Sequence, residues 1–177
     1  QDEGDTNVGT TLSHVNFAYT GIKNTTVTVG KQGLNTPWTV ALDSDGNEQT
    51  GSGILAMTTL GQVTLAGAYF NQTNLNDSGE GTVLFDDGTE DIATAGAMTT
   101  LGPVTLDAWY LDAQDTFDSY TVGAKAATEL SGVKLGADAR WASLEEDDAD
   151  DKNTIAKIVL TADAGLVDGK LAYAKTG

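Results

Sequence analysis

Cysteine is absent from the 177 residues, so neither a disulfide framework nor a thiolate metal site is available. Proline occurs only twice. No stretch reaches the roughly 18 consecutive apolar residues that a transmembrane helix needs. Basic residues are also scarce, since 9 Lys and Arg stand against 26 Asp and Glu, for a net charge of −17. This balance argues against a nucleic-acid partner, because a phosphate backbone requires a basic surface.

The chain opens at Gln1 without Met and without a secretory leader. We therefore expect a mature or partial product, and we expect residues 1–177 to form a single domain. Its length is enough for one domain. Gly, Thr and Ala are abundant, which suits a sheet-rich chain with small side chains.

A duplicated unit is the most informative feature that is present. Residues 56–72, AMTTLGQVTLAGAYFNQ, are nearly repeated at 97–114, AMTTLGPVTLDAWYLDAQ. Each copy has an alternating run, a tight Leu-Gly turn and a second alternating run that ends in aromatics, which is the pattern of a β-hairpin. Looser copies occur at 126–141, 160–174 and around 21–24. Five successive hairpins indicate one repeated architectural element.

The pattern predicts about ten strands of roughly 8–11 residues, the length that crosses a bilayer at a tilt. We place them at 12–20, 24–31, 53–60, 62–71, 92–100, 103–112, 119–129, 132–142, 154–164 and 169–176. Short turns are expected at 21–24, 60–62, 101–103, 130–132 and 165–168. The alternate connections, mostly long, are 32–52, 72–92, 113–118 and 143–153. Short turns on one side and long loops on the other are typical of outer-membrane barrels.

The carboxylates follow the same asymmetry. Of the 26 Asp and Glu, 21 lie in segments that are not short turns: 1–10, 32–52, 72–92, 112–118 and 145–151. Charge runs are often merely solvated loops, but that reading does not explain why they lie on one side. We therefore expect an acidic rim.

Strand parity gives each strand an apolar and a more polar face. In 103–112, Val104, Leu106 and Tyr110 oppose Thr105 and Asp107. In a soluble sandwich the apolar face would be core, whereas in a barrel it would meet lipid and the polar face would line a lumen. Aromatic residues on the apolar face fall near the long-loop ends, where a bilayer favours amphipathic rings: Tyr69, Tyr110, Tyr120, Trp141 and Tyr173. The sequence therefore predicts an all-β, antiparallel transmembrane β-barrel.

The polar face carries the candidate functional residues. Its basic members are Lys125, Lys134, Arg140 and Lys157, and its acidic members are Asp107, Asp138 and Asp163. One hypothesis is a basic strip that faces acidic loop residues across a pore and sets ion selectivity. The alternative is that each basic side chain pairs with a neighbouring carboxylate. Strict parity places Lys31 on the lipid face with Val27 and Val29, unless a bulge at Gly30 turns it inward.

These patterns favour a passive diffusion channel in a bacterial outer membrane, with lipid as its surroundings. The acidic rim predicts a preference for cations. No enzyme is expected, because His14 has no partners at catalytic spacing and the acid pairs lie in charge runs without aromatic enclosure. The alternative from another class is a secreted, acidic, β-rich surface-layer or adhesin domain that uses its loops and calcium.

Residues 16–39, NFAYTGIKNTTVTVGKQGLNTPWT, resemble the Campylobacter-type major outer membrane protein, a porin family. The segments that match best are Gly30-Lys31-Gln32, Leu34-Asn35 and Trp38-Thr39, followed downstream by residues 63–66, VTLA. General porins share a strand end of this type that leads into the loop folded into the pore. The match covers about a third of the chain.

The resemblance implies a homotrimeric barrel of about 16–18 strands that passes small hydrophilic solutes, and this chain would then be an incomplete part of that barrel. It makes 32–52 the constriction loop and Trp38 a constriction residue. It also implies no required cofactor but a calcium ion on lumenal carboxylates, for which Asp43 and Asp45 are the nearest positions. The family's acidic residue after Trp-Thr is replaced by Val40, and the Glu at the twelfth position of a calcium loop is Ile54.

Overall fold

A computed structural model describes residues 14–39, 42, 46–77, 88–147 and 152–177. Within these residues, ten strands form one antiparallel sheet in chain order, each paired with the next. The strands are β1 (Val15–Tyr19), β2 (Thr25–Gly33), β3 (Thr50–Leu60), β4 (Val63–Thr73), β5 (Ile92–Leu101), β6 (Val104–Ala113), β7 (Phe117–Leu130), β8 (Val133–Glu146), β9 (Lys152–Asp163) and β10 (Asp168–Thr176). The predicted fold class and strand number are confirmed.

The short turns have the residues that their backbone requires. Gly61 and Gly102 adopt positive φ angles of 64° and 58° as the first of two turn residues, which is the geometry of type II′ hairpins. Ser131 and Gly132 both have positive φ, 52° and 80°, as a type I′ turn demands. These turns fix the register of the strands that they join, so the alternation of side chains carries through each hairpin.

The prediction of a longer connection at 113–118 was wrong. Strand β6 continues to Ala113 and β7 begins at Phe117, so only 114–116 lie between them. Asp115 has a φ of 55° at this turn, and Thr116 N donates to Ala113 O. The carboxylates Asp112 and Asp118 are paired across the ladder instead of lying in a loop. Strand β8 likewise extends to Glu146, beyond the predicted end at 142.

One face of the sheet is bare. Its side chains alternate along every strand with those of the opposite face, and they remain exposed despite being apolar, as in Phe17 (71% exposed) and Tyr173 (64%). The same face carries Val15, Tyr19, Val29, Ile54, Leu65, Tyr69, Leu106, Tyr120, Val122, Leu135, Trp141, Ile158, Leu160 and Leu171. In the part of the chain that the structure describes, no second layer covers these residues. We call this the apolar face.

The opposite face is concave, because side chains from β3 through β8 line one common cavity. The buried hydrophobic cluster lies at the end of this face where the sheet meets its longer connections: Leu34, Phe70, Leu75, Ile92, Leu111, Ala113 and Phe117. Leu75 belongs to a 3-10 turn, Leu75–Asp77, that follows β4. Among the described residues, no helix is long and apolar enough to cross a membrane. The core therefore joins the connections to the sheet.

Candidate functional site

The segment after β2 folds over the concave face and is fixed there. Its compact turn is held by Thr39, whose Oγ1 donates to Leu34 O at 2.9 Å and accepts from Thr36 N at 2.9 Å. This turn presents Trp38, whose Nε1 donates to Ser119 Oγ on β7 at 2.8 Å. Ser119 Oγ in turn donates to Ser143 O on β8 at 2.7 Å. The sequence-predicted constriction residue Trp38 is thus brought against the wall of the concave face.

Arg140 and Asp107 form an ion pair that spans three strands. Arg140 Nη2 on β8 donates to Asp107 Oδ2 on β6 at 2.9 Å, and Arg140 Nη1 donates to Thr121 Oγ1 at 3.1 Å. The intervening strand β7 contributes Gly123, which pairs with both residues and has no side chain to separate them. The two charged side chains are only 24% and 12% exposed. These two hydrogen bonds fix the guanidinium against the wall.

The other predicted charges are more exposed. Lys125 Nζ lies 3.4 Å from Asp138 Oδ2 on the neighbouring strand, with 60% and 38% of the side chains exposed. Lys134 and Asp163 are opposite each other in the β8–β9 ladder, and Lys157 is opposite Arg140. Asp163 Oδ1 accepts from Gly165 N at 2.7 Å and so caps the short turn. Among the described residues, Lys134 and Lys157 have no carboxylate within ion-pair distance.

Both readings of the basic residues therefore keep some support. Arg140 and Lys125 pair with carboxylates of their own wall, as the local-pairing alternative requires. Lys134 and Lys157 remain as exposed positive charges on two adjacent strands, as the strip hypothesis requires. The role of all seven charged residues and of Trp38 in solute passage stays a prediction.

A cavity of about 430 Å³ separates the folded segment from the wall. Its apolar side is built mainly by the segment and by β3–β5, including Leu34, Pro37, Leu55, Met57 and Met98. Its charged side is built by β6–β8 and contains Asp107, Lys125 and Arg140. A molecule passing here would contact apolar carbon on one side and charged groups on the other.

The calcium prediction falls outside the described residues, because Asp43 and Asp45 lie there. Within the described ranges, no group of three or more His, Cys, Asp and Glu could hold a metal ion. A calcium site at Asp43 and Asp45 stays a prediction.

Sequence reasoning did not single out Ser119 or the positioning role of Gly123. Both face inward on β7, where every second residue from Ser119 onward is small or polar: Ser119, Thr121, Gly123 and Lys125. Parity could have placed them on the concave face. The partners Trp38 and the Arg140–Asp107 pair depend on contacts 81 and 33 residues apart, for which the local pattern carries no signal.

Comparison with known proteins gives a fold and no closer relationship. No family model matches the chain, and no curated protein matches it. Among solved structures, the outer membrane protein OpdK of Pseudomonas aeruginosa has a TM-score of 0.76 at 16% identity, over 88% of this chain and 45% of that chain. The fold is that of an outer-membrane porin barrel.

Two further porin structures agree. A BenF-like porin of Pseudomonas fluorescens Pf-5 has a TM-score of 0.76 at 18% identity, over 88% of this chain and 43% of that one. OccAB3 of Acinetobacter baumannii has a TM-score of 0.72 at 17% identity, over 88% and 42%. The chain thus spans less than half the length of these porin structures. The narrower resemblance to the Campylobacter-type family, with its trimer, stays a prediction.

Proposed function

We propose that this chain is part of a non-enzymatic outer-membrane channel through which ions and small hydrophilic solutes diffuse passively. The observation that carries the proposal is the division of the sheet into an exposed apolar face and a concave polar face. An apolar face of this extent is costly in water but suits contact with acyl chains. The likeness to porin barrels supports the same placement.

The folded segment supports a selective pathway. Trp38 holds this segment across the concave face, so the route for solutes narrows beside Asp107 and Arg140. OpdK and OccK2 of Pseudomonas aeruginosa have been solved with vanillate and with glucuronate, respectively, both small carboxylates. By analogy, we infer that solutes of this size fit the pathway here.

The finer proposal is a preference for cations. Two of the four predicted basic residues of the wall are neutralised there, because Arg140 is paired with Asp107 and Lys125 with Asp138. We infer that the acidic rim expected from the sequence outweighs the remaining basic residues, since 21 of the 26 carboxylates belong to the segments 1–10, 32–52, 72–92, 112–118 and 145–151. Such a rim raises the local cation concentration within a Debye length of about 8 Å at physiological salt.

The test is electrical. The gene product that carries this chain is reconstituted into planar bilayers, and reversal potentials are measured in a salt gradient. Stepwise conductance supports the proposed channel. A reversal potential whose sign shows that cations carry most of the current supports the proposed cation preference. Conductance with anion selectivity would reject the cation preference alone. A protein that stays monodisperse without detergent and forms no channels would reject the channel and favour the surface-layer alternative.

A further inference from the structure

An aromatic belt crosses the apolar face at a slant. On β8, Ser143 is paired with Tyr120 of β7. Trp141 lies two residues before Ser143, which is one step nearer the short turns. Tyr120 is opposite Tyr110. Tyr69 on β4 is paired with Ala93 on β5, and Ala93 is paired with Asp112 on β6. Because Asp112 lies two residues beyond Tyr110, Tyr69 is one step farther from the short turns than Tyr110. The belt thus climbs one step for every two strands, as tilted barrel strands require of a horizontal level.

Continued to β2, the belt reaches Lys31. Tyr69 is opposite Ile54, and Ile54 is opposite Val29. One further step on β2 is Lys31, which therefore occupies the headgroup level where β4, β6, β7 and β8 present an aromatic ring. The pairing of β2 with β1 and with β3 continues without a register shift through Gly30. Lys31 accordingly stays on the apolar face, as strict parity predicted.

Three unengaged donors line up at this level. Lys31 pairs across the ladder with Ser52, and Ser52 pairs with Gln72 beside a bulge between Ser52 and Gly53. In the described part of the chain, no hydrogen bond or ion pair occupies these three side chains. They border a polar pocket of about 290 Å³ that is also lined by Thr50, Gly51, Thr73, Asn74 and Asn76.

Asn74 holds the walls of the pocket together and leaves the side chains of Lys31, Ser52 and Gln72 available to a ligand. Its Oδ1 accepts from Thr50 N at 2.6 Å, and its Nδ2 donates to Glu48 O at 2.8 Å. The backbone N of Asn74 also donates to Thr50 O at 3.1 Å. The start of β3 and the end of β4 are therefore clamped together. The pocket keeps a positive charge, a hydroxyl and an amide pointing at the same space.

Carboxylates accompany two tyrosines of the belt, and lysines accompany its other end, where Lys152 lies over the Tyr120 ring and Lys175 shares the face of Trp141. Tyr69 Oη donates to Asp91 at 2.6 Å, and Tyr110 Oη donates to Asp118 at 2.6 Å. Glu145 lies 3.8 Å from Lys152. Lys31 has no such carboxylate among the described residues. An anion at the membrane surface is therefore repelled beside Tyr69 and Tyr110 and attracted at Lys31.

We propose that Lys31, Ser52 and Gln72 bind the phosphate of a membrane-lipid headgroup. The chemistry is that of a phosphate ester, since a lysine with neutral hydrogen-bond donors favours an anionic oxygen group. A lipid is the source, because the exposed side chains of Val29, Ile54 and Tyr69 lie directly below the pocket, where acyl chains would pack. The inference rests on the proposed placement of the apolar face in a bilayer.

The test measures lipid binding by native mass spectrometry of the detergent-solubilised gene product. The probes are dioleoyl phosphatidic acid, dioleoyl phosphatidylcholine and inorganic phosphate. The wild-type protein should bind phosphatidic acid more tightly than phosphatidylcholine. Lys31→Gln should weaken phosphatidic acid binding by about tenfold, which is the scale of one charge-assisted hydrogen bond. Lys31→Arg should retain the binding, since it keeps a charged donor.

Lys170→Gln is the matched control, because it removes the same charge from the concave face of β10. It should bind phosphatidic acid as the wild type does. Equal binding by Lys31→Gln and the wild type would overturn the proposal. Displacement of the lipid by inorganic phosphate would show a site for free anions and would overturn the lipid assignment. Channel conductance of each variant is measured in parallel, so that a failure of the proposed channel is distinguished from a failure of this site.

Discussion

Gly123 is the position where a single methyl group should separate the ion pair of the concave face. An ideal Cβ at this residue would lie 2.5 Å from Asp107 Oδ2 and 2.8 Å from Arg140 Cζ. Both distances are shorter than any ordinary contact, so Gly123→Ala must displace the guanidinium or the carboxylate. The φ angle of Gly123 is not in the positive region, so alanine brings no backbone strain. The substitution therefore tests the ion pair and little else.

The magnitude follows from the partial burial of the pair. Exposed ion pairs contribute about 0–1 kcal/mol, whereas removing one partner of a fully buried pair costs about 3–5 kcal/mol. With the side chains 24% and 12% exposed, we expect a loss of about 1–3 kcal/mol in the free energy of unfolding. Asp107 Oδ1 is buried without a hydrogen-bond partner in the described structure. Displacing Arg140 would leave both carboxylate oxygens without one.

Gly67 supplies the matched control. It lies within β4, and an added Cβ would meet only Thr94 O, at 4.0 Å. Gly67→Ala should be neutral or stabilise by about 0.4–1 kcal/mol, because alanine restricts the unfolded chain. Both variants are measured by urea unfolding in lipid vesicles, followed by tryptophan fluorescence.

Arg140→Ala completes the test as a second background. Without the guanidinium, the added methyl group has room, so Gly123→Ala should cost little there. Equal stability of Gly123→Ala and Gly67→Ala would refute the reasoning. A cost at Gly123 that persists in the Arg140→Ala background would refute it as well.

Three further predictions concern the channel. Trp38→Ala removes the hydrogen bond to Ser119 and should raise single-channel conductance, because it frees the folded segment. Trp141→Ala on the apolar face should leave the conductance unchanged. Equal conductance of the Trp38→Ala variant and the wild type would contradict this prediction. Arg140→Gln leaves Asp107 unpaired and should shift reversal potentials toward cations, while Asp107→Asn should shift them toward anions; shifts of the same sign would contradict it. Leu65→Lys should cost about 2–4 kcal/mol of stability in vesicles, but Thr64→Lys on the concave face should be tolerated; equal cost would argue against the assignment of faces.

The strands could be predicted from the sequence because apolar and polar residues alternate within each strand. In β8, Val133, Leu135, Ala137 and Ala139 alternate with Lys134, Gly136, Asp138 and Arg140, and the structure keeps this alternation across the sheet. The two-residue turns were equally local, since Gly61 and Gly102 supply the positive φ that their hairpins need. These signals require no knowledge of distant residues.

Strand ends were less predictable where charge and extended structure coincide. Asp112 and Asp118 looked like loop residues, because carboxylates are poor strand formers. They nevertheless stay half-buried in the β6–β7 ladder, and Tyr110 Oη donates to Asp118 at 2.6 Å. The turn at 114–116 therefore sits beyond both acids. Composition alone could not separate a charged strand end from a loop.

The candidate site depends on contacts that no local pattern encodes. Parity placed Asp107 and Arg140 on one face, but only the ladder of β6, β7 and β8 shows that glycine stands between them. Similarly, Trp38 could be assigned to a loop, but its hydrogen bond to Ser119 depends on where the segment after β2 folds. Sequence reasoning reached the correct face and missed the pairing across it.

The exposed side chains of the apolar face favour the proposed channel over the surface-layer domain. A soluble surface-layer domain would cover Phe17, Leu65 and Leu160 with a second β layer, because leaving them in water forfeits the free energy of their burial, about 25 cal/mol per Å². The described residues place no such layer there, and the buried cluster lies instead under the longer connections. Contact with acyl chains would recover that free energy. The proposed channel supplies this contact on the apolar face and leaves the charged concave face in water.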